Sequence, residues 1–231
     1  MTTIHILDGC CGGGGASMGY YRAFTMAGYD VEIIGVDKYS QPEYPFTFKQ
    51  TDALDYLCRC WHKYDFIHFS PPCQDHTWSA RRWLNSGHRQ SNDILMNTEI
   101  LLKFTGKPYI IENVEGAPLL NTITLCGTQF GLRVFRHRKF ASNLFLHAPR
   151  FSPKANCSHT GRKVGFGPDD FVTVAGHGGD GSGTLANWQD AMGIDWIHDK
   201  DQLKEAIPPA YTEFLGRQVV TYLENQVRLT A

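Results

Sequence analysis

The chain has 231 residues, 42% of them hydrophobic and 19% charged, with a formal net charge of −1. This is the composition of a soluble globular protein of one domain, with at most a small appendage, and it excludes a disordered, collagenous or globally basic chain. No apolar run reaches the ~18 residues of a membrane span, and seven cysteines, an odd number, do not complete a disulfide framework, so a reducing, cytoplasmic setting is expected.

The N-terminus "MTTIHILDGCC" lacks a basic region followed by a long apolar one, so no secretory signal is expected. "IHIL" (4–7) is a predicted strand, followed by a glycine turn and a helix over about 16–27. "VEIIGV" (31–36) is a second strand, "DALDYLC" (52–58) a short helix and "DFIHFS" (65–70) a strand. "DILMNTEILLKF" (93–104) is helical and "PYIIEN" (108–113) a strand. Strands alternating with helices imply an α/β fold with a parallel sheet. From 139 to 186 the chain is rich in Gly, Pro, Ser and His, which suits a small irregular insert, with "FVTVA" (171–175) as a strand in it. The tail returns to helix at Pro208 and Pro209, where proline suits a first turn. The expected organisation is 1–138 for catalysis and cofactor binding, 139–186 for the insert, and 187–231 as a helical return.

"ILDGCCGGGGASMGY" places glycines between a strand and a helix, the order of a nucleotide-type site at a sheet's carboxyl edge. The bland alternative is a tight turn. Asp37 ends the second strand and Asp52 falls where a third should end, so both carboxylates can accept from an adenosine. No Gly-Lys-Ser/Thr follows the glycines, so a cofactor with adenosine but little phosphate, such as S-adenosylmethionine, fits better than ATP. "SPPCQ" sets Cys73 just past a strand, and "IIENVEG" sets Glu112 at the end of the next. Taken singly, Cys73 could be a small buried hydrophobe and Glu112 a partnered structural acid. Together in one cleft, a thiolate can attack an electron-poor ring while the acid donates to a ring nitrogen.

The order of glycine turn, Pro-Cys-Gln, Glu-Asn-Val and "FRHRKF" resembles the DNA cytosine-5 methyltransferase family, and "AYTEFLGRQVV" resembles its C-terminal motif. The likeness covers about residues 4 to 140 and 184 to 223. It implies a Rossmann-like S-adenosylmethionine-dependent methyltransferase sheet with a small target-recognition insert, acting on double-stranded DNA as a monomer. The implied mechanism extrudes the target cytosine from the duplex. Cys73 adds to C6, Glu112 holds N3 and the exocyclic amine, Arg138 holds O2 and Arg136 supports it. The implied cofactor pocket comprises Asp8, Cys10, Cys11, Gly12, Gly14, Val36, Asp37, Asp52, Ala53, Pro72 and Leu95. Gln74, Arg81, Arg82 and Arg89 are the implied DNA contacts, in a loop that also carries Trp78 and Trp83. For these arginines, and for Arg136 and Arg138, a solvated basic surface is the alternative.

The sequence departs from the family at Cys10, where an aromatic is usual, and at Gly35, where a ribose-binding glutamate is common. It also departs at Val134, for a glutamine, and at Gly216-Arg217-Gln218-Val219, for Gly-Asn-x-Val. These departures leave open a weakly active DNA-binding homologue or a modifier using a related sulfonium donor. An amino methyltransferase and a thiol enzyme acting on free pyrimidines are further alternatives. Cys58-Arg59-Cys60-Trp61-His62 and Cys157-Ser158-His159 lack the paired spacing of a structural zinc site, so no metal is expected.

Overall fold

A computed structural model describes residues 2–72, 92–149, 170–172, 174 and 183–230, without the side chains of 92, 93 and 230. The strands are β1 (Thr3–Gly9), β2 (Asp30–Asp37), β3 (Thr47–Gln50), β4 (Phe66–Phe69), β5 (Tyr109–Asn113), β6 (Ile123–Leu125) and β7 (Arg138–Ser142). They form one sheet in the order β3-β2-β1-β4-β5-β7-β6. Neighbours from β3 across to β5 are parallel, and β7 runs antiparallel to both β5 and β6. The helices are α1 (Gly15–Met26), α2 (Ala53–Cys60), α3 (Asn92–Thr105), α4 (Leu185–Met192), α5 (Lys200–Leu203) and α6 (Pro209–Thr230). None of the described helices is long and apolar enough to cross a membrane.

Every residue of β4 and β5 is buried, as expected of parallel strands covered on both faces. Ile6, Phe66 and Ile110 pack on one face with Tyr20 and Phe24 of α1 and Tyr211 and Leu215 of α6. Leu7, Ile67, Phe69 and Ile111 pack on the other with Leu57 of α2 and Leu95 and Leu102 of α3. Burial of each such side chain contributes roughly 1.5–3 kcal/mol. The first layer is tight: a Cβ at Gly19 would lie 2.2 Å from the Pro209 carbonyl oxygen, so any side chain there separates α1 from α6. A third cluster joins Val134, Val172 and Val174 to Trp188, Met192, Ile197 and Leu203.

The α/β class follows the sequence reading and the sheet is parallel from β3 to β5, but β7 runs antiparallel to both neighbours and two boundaries differ. β7 runs from Arg138 to Ser142, so the sheet continues past the boundary expected at 138. Only Phe140 and Ala141 of "RKFAS" are buried, too short an apolar signal to mark a strand by pattern. α4 begins at Leu185, across the boundary expected at 186, because Thr184 caps it by accepting from Asn187 N–H. Of "FVTVA", Val172 bridges Val134 in parallel, and Thr173 and Ala175 lie outside the described residues.

Candidate active site

The chain reverses its direction of travel across the sheet between β1 and β4, so a crevice opens at their carboxyl ends. The turn after β1 is the crevice's first wall. Cys10 and Gly12 take left-handed backbone, with φ of 55° and 48°, and Gly14 caps α1 at φ 82°. Such angles suit glycine and strain cysteine. The turn is braced internally: Cys11 N–H donates to the Val36 carbonyl (3.2 Å), Gly12 N–H to Asp37 Oδ2 (3.1 Å) and Gly14 N–H to the Cys11 carbonyl (3.1 Å). These three donors are thus committed within the turn and its neighbouring strand. Trp196 Nε1 donates to the Gly13 carbonyl at 2.9 Å, seating the C-terminal segment on the turn.

Asp37 accepts from Gly12 N–H through Oδ2 and from Tyr39 N–H through Oδ1 (2.9 Å). Asp52 caps α2, its Oδ1 accepting from Leu54 N–H (2.9 Å) and Asp55 N–H (3.0 Å). Val36, Ala53 and Leu95 share one apolar cluster, with Cys10 packed against it. Desolvation drives the Cys10 and Cys11 thiols well above their ordinary range, so neither supplies a thiolate. Asp8 is fully buried beneath the turn, accepting from Ser17 Oγ at 2.5 Å, and its Oδ1 has no partner among the described residues. Burial, opposed by the Ser17 bond and reinforced by Asp37 and Glu112, pushes its carboxyl up to about 7.

The second wall is the end of β5. Glu112 is buried, and its Oε1 lies 2.9 Å from Arg138 Nε of β7. Burial raises its pKa above the ordinary value, against the lowering effects of Arg138, Arg136 and a Ser70 hydrogen bond. Asn113 Nδ2 donates to the Pro71 carbonyl at 3.0 Å, tying β5 to the turn that leads to Cys73. Arg136 is buried and donates to the carbonyls of Val174 (3.1 Å) and Lys204 (2.6 Å). It binds the C-terminal segment to the strand that carries Arg138.

The described residues thus bring together Asp8, Cys10, Cys11, Gly12, Gly14, Val36, Asp37, Asp52, Ala53 and Leu95 on one side and Glu112, Arg136 and Arg138 on the other. Pro72 ends the described segment, exposed. Cys73, Gln74, Arg81, Arg82 and Arg89 lie outside the described residues. Two departures acquire a reason. Gly35 faces Tyr44, whose ring would sit 2.2 Å from a Cβ there, so a glutamate would have to displace that ring. Gln218 is a clip, accepting from His147 N–H at 2.8 Å and donating to its carbonyl at 3.2 Å, while Arg217 pairs with Glu213. Ser17, Tyr20, Tyr44, His68 and Ser70 escaped the sequence reading. Only the polar interruption of an apolar strand by His68 signalled any of them. Among the described residues, no group of three His, Cys, Asp or Glu is placed to hold a metal ion.

No family model matches the chain, and no curated protein does. Solved structures do. The Dnmt2 methyltransferase of S. pombe superposes with a TM-score of 0.64 at 14% identity, over 96% of this chain and 99% of that one. The Entamoeba histolytica methyltransferase EhMeth superposes with a TM-score of 0.61, also at 14% identity, over 98% and 99%. The motif order that resembles the DNA cytosine-5 methyltransferases therefore sits on a Dnmt2-type methyltransferase fold.

Proposed function

We propose that the chain is an S-adenosylmethionine-dependent DNA cytosine-C5 methyltransferase that works through a covalent bond from Cys73 to C6 of an extruded cytosine. The observation that carries this reading is the buried Glu112–Arg138 pair on adjacent strands, beside the Pro71–Pro72 turn to which Asn113 is tied. A carboxyl held toward its protonated form can donate to N3 while accepting from the exocyclic amine. A guanidinium beside it can hold O2.

The residues present fit the cofactor. Asp8 has a buried oxygen without a partner, Asp8, Asp37 and Asp52 favour a cation, and a Cβ at Gly12 would meet only open space. Val36, Ala53, Leu95 and Cys10 offer apolar walls for an adenine, and Asp37 and Asp52 keep lone pairs for ribose hydroxyls. When bound, S-adenosylmethionine supplies an electrophilic methyl group for C5. The chain's own tasks are protonic and positional. The Cys73 thiolate bonds to C6 as Glu112 donates its proton to N3, which keeps negative charge out of the ring. Loss of the C5 proton to water, elimination of the thiolate and return of the proton to Glu112 close the cycle.

The test is incubation with cofactor and duplex DNA carrying 5-fluorocytosine, with matched RNA and mononucleotide as parallel arms. A covalent adduct on DNA, mapped to Cys73 and lost in Cys73→Ala, is the expected result. Methyl transfer to DNA without such an adduct overturns the covalent mechanism, and an adduct confined to RNA or mononucleotide overturns the substrate.

A further inference from the structure

Behind Glu112 lies a buried chain of polar side chains that the methyl-transfer reaction does not use. His68, in β4, is fully buried on the face covered by α1 and α6. Its Nδ1 lies 3.0 Å from Tyr20 Oη, and its Nε2 lies 3.0 Å from Ser70 Oγ. Ser70 follows the Phe69–Ile111 pair of β4 and β5, which sets it beside Glu112, and its hydroxyl acts to lower the Glu112 pKa. We propose that Tyr20, His68 and Ser70 form a positioning chain that commits the Ser70 hydroxyl to donating to Glu112. A protonated Glu112 then does not spend its proton on Ser70 and keeps it for a ring nitrogen. This inference rests on Glu112 acting as the acid.

The direction follows from satisfying each donor. Burial holds the His68 pKa down at about 3, so the imidazole is neutral, with one nitrogen donating and the other accepting. Tyr20 is also fully buried, and desolvation keeps its hydroxyl protonated. Among the described residues, its one hydrogen-bond partner is His68 Nδ1. The charged groups acting on the chain are Asp8 from β1 and Glu112 from β5, the latter paired with Arg138. Asp8 Oδ1 accepts from none of the described residues. If Nδ1 carried the proton, the Tyr20 O–H would be buried without an acceptor, a costly arrangement. Tyr20 therefore donates to Nδ1, Nε2–H donates to Ser70 Oγ, and Ser70 has its own proton left for Glu112. In the reverse direction the acid would spend its proton on Ser70.

The test uses the full chain with Tyr20→Phe, His68→Leu and His68→Gln, whose amide N–H replaces Nε2–H. In the cofactor- and DNA-free protein, Glu112 is titrated by its 13C-carboxyl resonance. With Ser70's donation weakened, its midpoint should move up in Tyr20→Phe and His68→Leu and return in His68→Gln. Turnover of the same two variants on DNA should fall about tenfold or more with cofactor KM unchanged, again with rescue by His68→Gln. Circular dichroism selects the variants that fold, and Tyr20→Phe, which loses one oxygen, serves if His68→Leu does not. An unchanged midpoint and turnover in folded Tyr20→Phe overturn the chain. Normal turnover in Glu112→Gln sinks the cytosine reading instead, while the titration still judges the chain.

Discussion

Asp8 and Glu112 end neighbouring parts of one sheet, both buried and both held toward the protonated form by burial. Their partners differ. Glu112 has a resident cation, Arg138, 2.9 Å from an Oε1 that accepts no aligned hydrogen bond from the described residues, and a serine beside it. Asp8 accepts only from Ser17 among the described residues and keeps one oxygen bare. A carboxyl with its own arginine is set for chemistry on a neutral ligand. One without is where an external cation gains most from arriving. The two ends of the crevice are thus electrostatically distinct, which fits a neutral base at β5 and a sulfonium donor at β1.

The largest expected effect is at Glu112. Glu112→Gln keeps the shape and removes the proton, so methyl transfer should fall about 10²–10⁴-fold, measured with labelled cofactor. A rate within a few-fold of wild type would leave Glu112 a merely structural acid and dissolve the contrast with Asp8.

Asp8 should instead reveal itself through pH. Its folded pKa of about 7 lies above the ordinary aspartate value of 3.8, so the folded state holds a proton that the unfolded chain releases first. Its stabilising contribution is full below about pH 4 and is lost as pH rises through about 7. The size is on the order of 4 kcal/mol, at roughly 1.4 kcal/mol for each tenfold gain in proton affinity on folding. Glu112 adds a loss of the same sign. Asp8→Asn should remove only the Asp8 part, so urea unfolding at pH 5 and pH 8 should differ less in the variant than in wild type. Equal pH dependence in the two proteins would mean that Asp8 is ionised at neutral pH and that its bare oxygen is already matched by a cation.

Legibility in the sequence follows this division. Of the parallel strands, β1, β2, β4 and β5 showed themselves through apolar runs, buried throughout in β4 and β5, while the largely exposed β3, "TFKQ", did not. The acids proposed for the chemistry, Asp8, Asp37, Asp52 and Glu112, stand at or just past strand ends. β6 and β7 did not show, because a three-residue strand and "RKFAS" carry too little apolar pattern. The polar layer beneath the crevice was hidden for another reason. Tyr20, Ser17 and His68 are ordinary helix and strand residues until the fold sets α1 on the sheet, and their contacts span 9 and 48 positions of chain. Tyr44 is the same case, since its significance lies in the glycine it covers.

That glycine gives the next test. Gly35→Glu would restore the acid usual in the related motif but drive a Cβ into the Tyr44 ring, 2.2 Å away. Overpacking of this kind costs about 1–3 kcal/mol. In the double variant Gly35→Glu/Tyr44→Ala the clash is gone, so thermal melts should show the two changes as non-additive. Additive losses would place the strain of Gly35→Glu elsewhere than at Tyr44.

The smallest expected effect separates the two readings of Asp52. As an N-cap it satisfies Leu54 and Asp55 N–H through Oδ1, so Asp52→Ala should cost about 1 kcal/mol of stability. Serine is an equally good cap but has no charge and no second carboxylate oxygen. Asp52→Ser should therefore fold as stably as wild type, within a few tenths of a kcal/mol, yet bind S-adenosylmethionine about fivefold to tenfold more weakly, the value of one hydrogen bond. Calorimetry on the two variants decides the matter. Wild-type affinity in Asp52→Ser would make Asp52 a cap and nothing more, leaving Asp37 as the carboxylate of this edge that answers to a ribose.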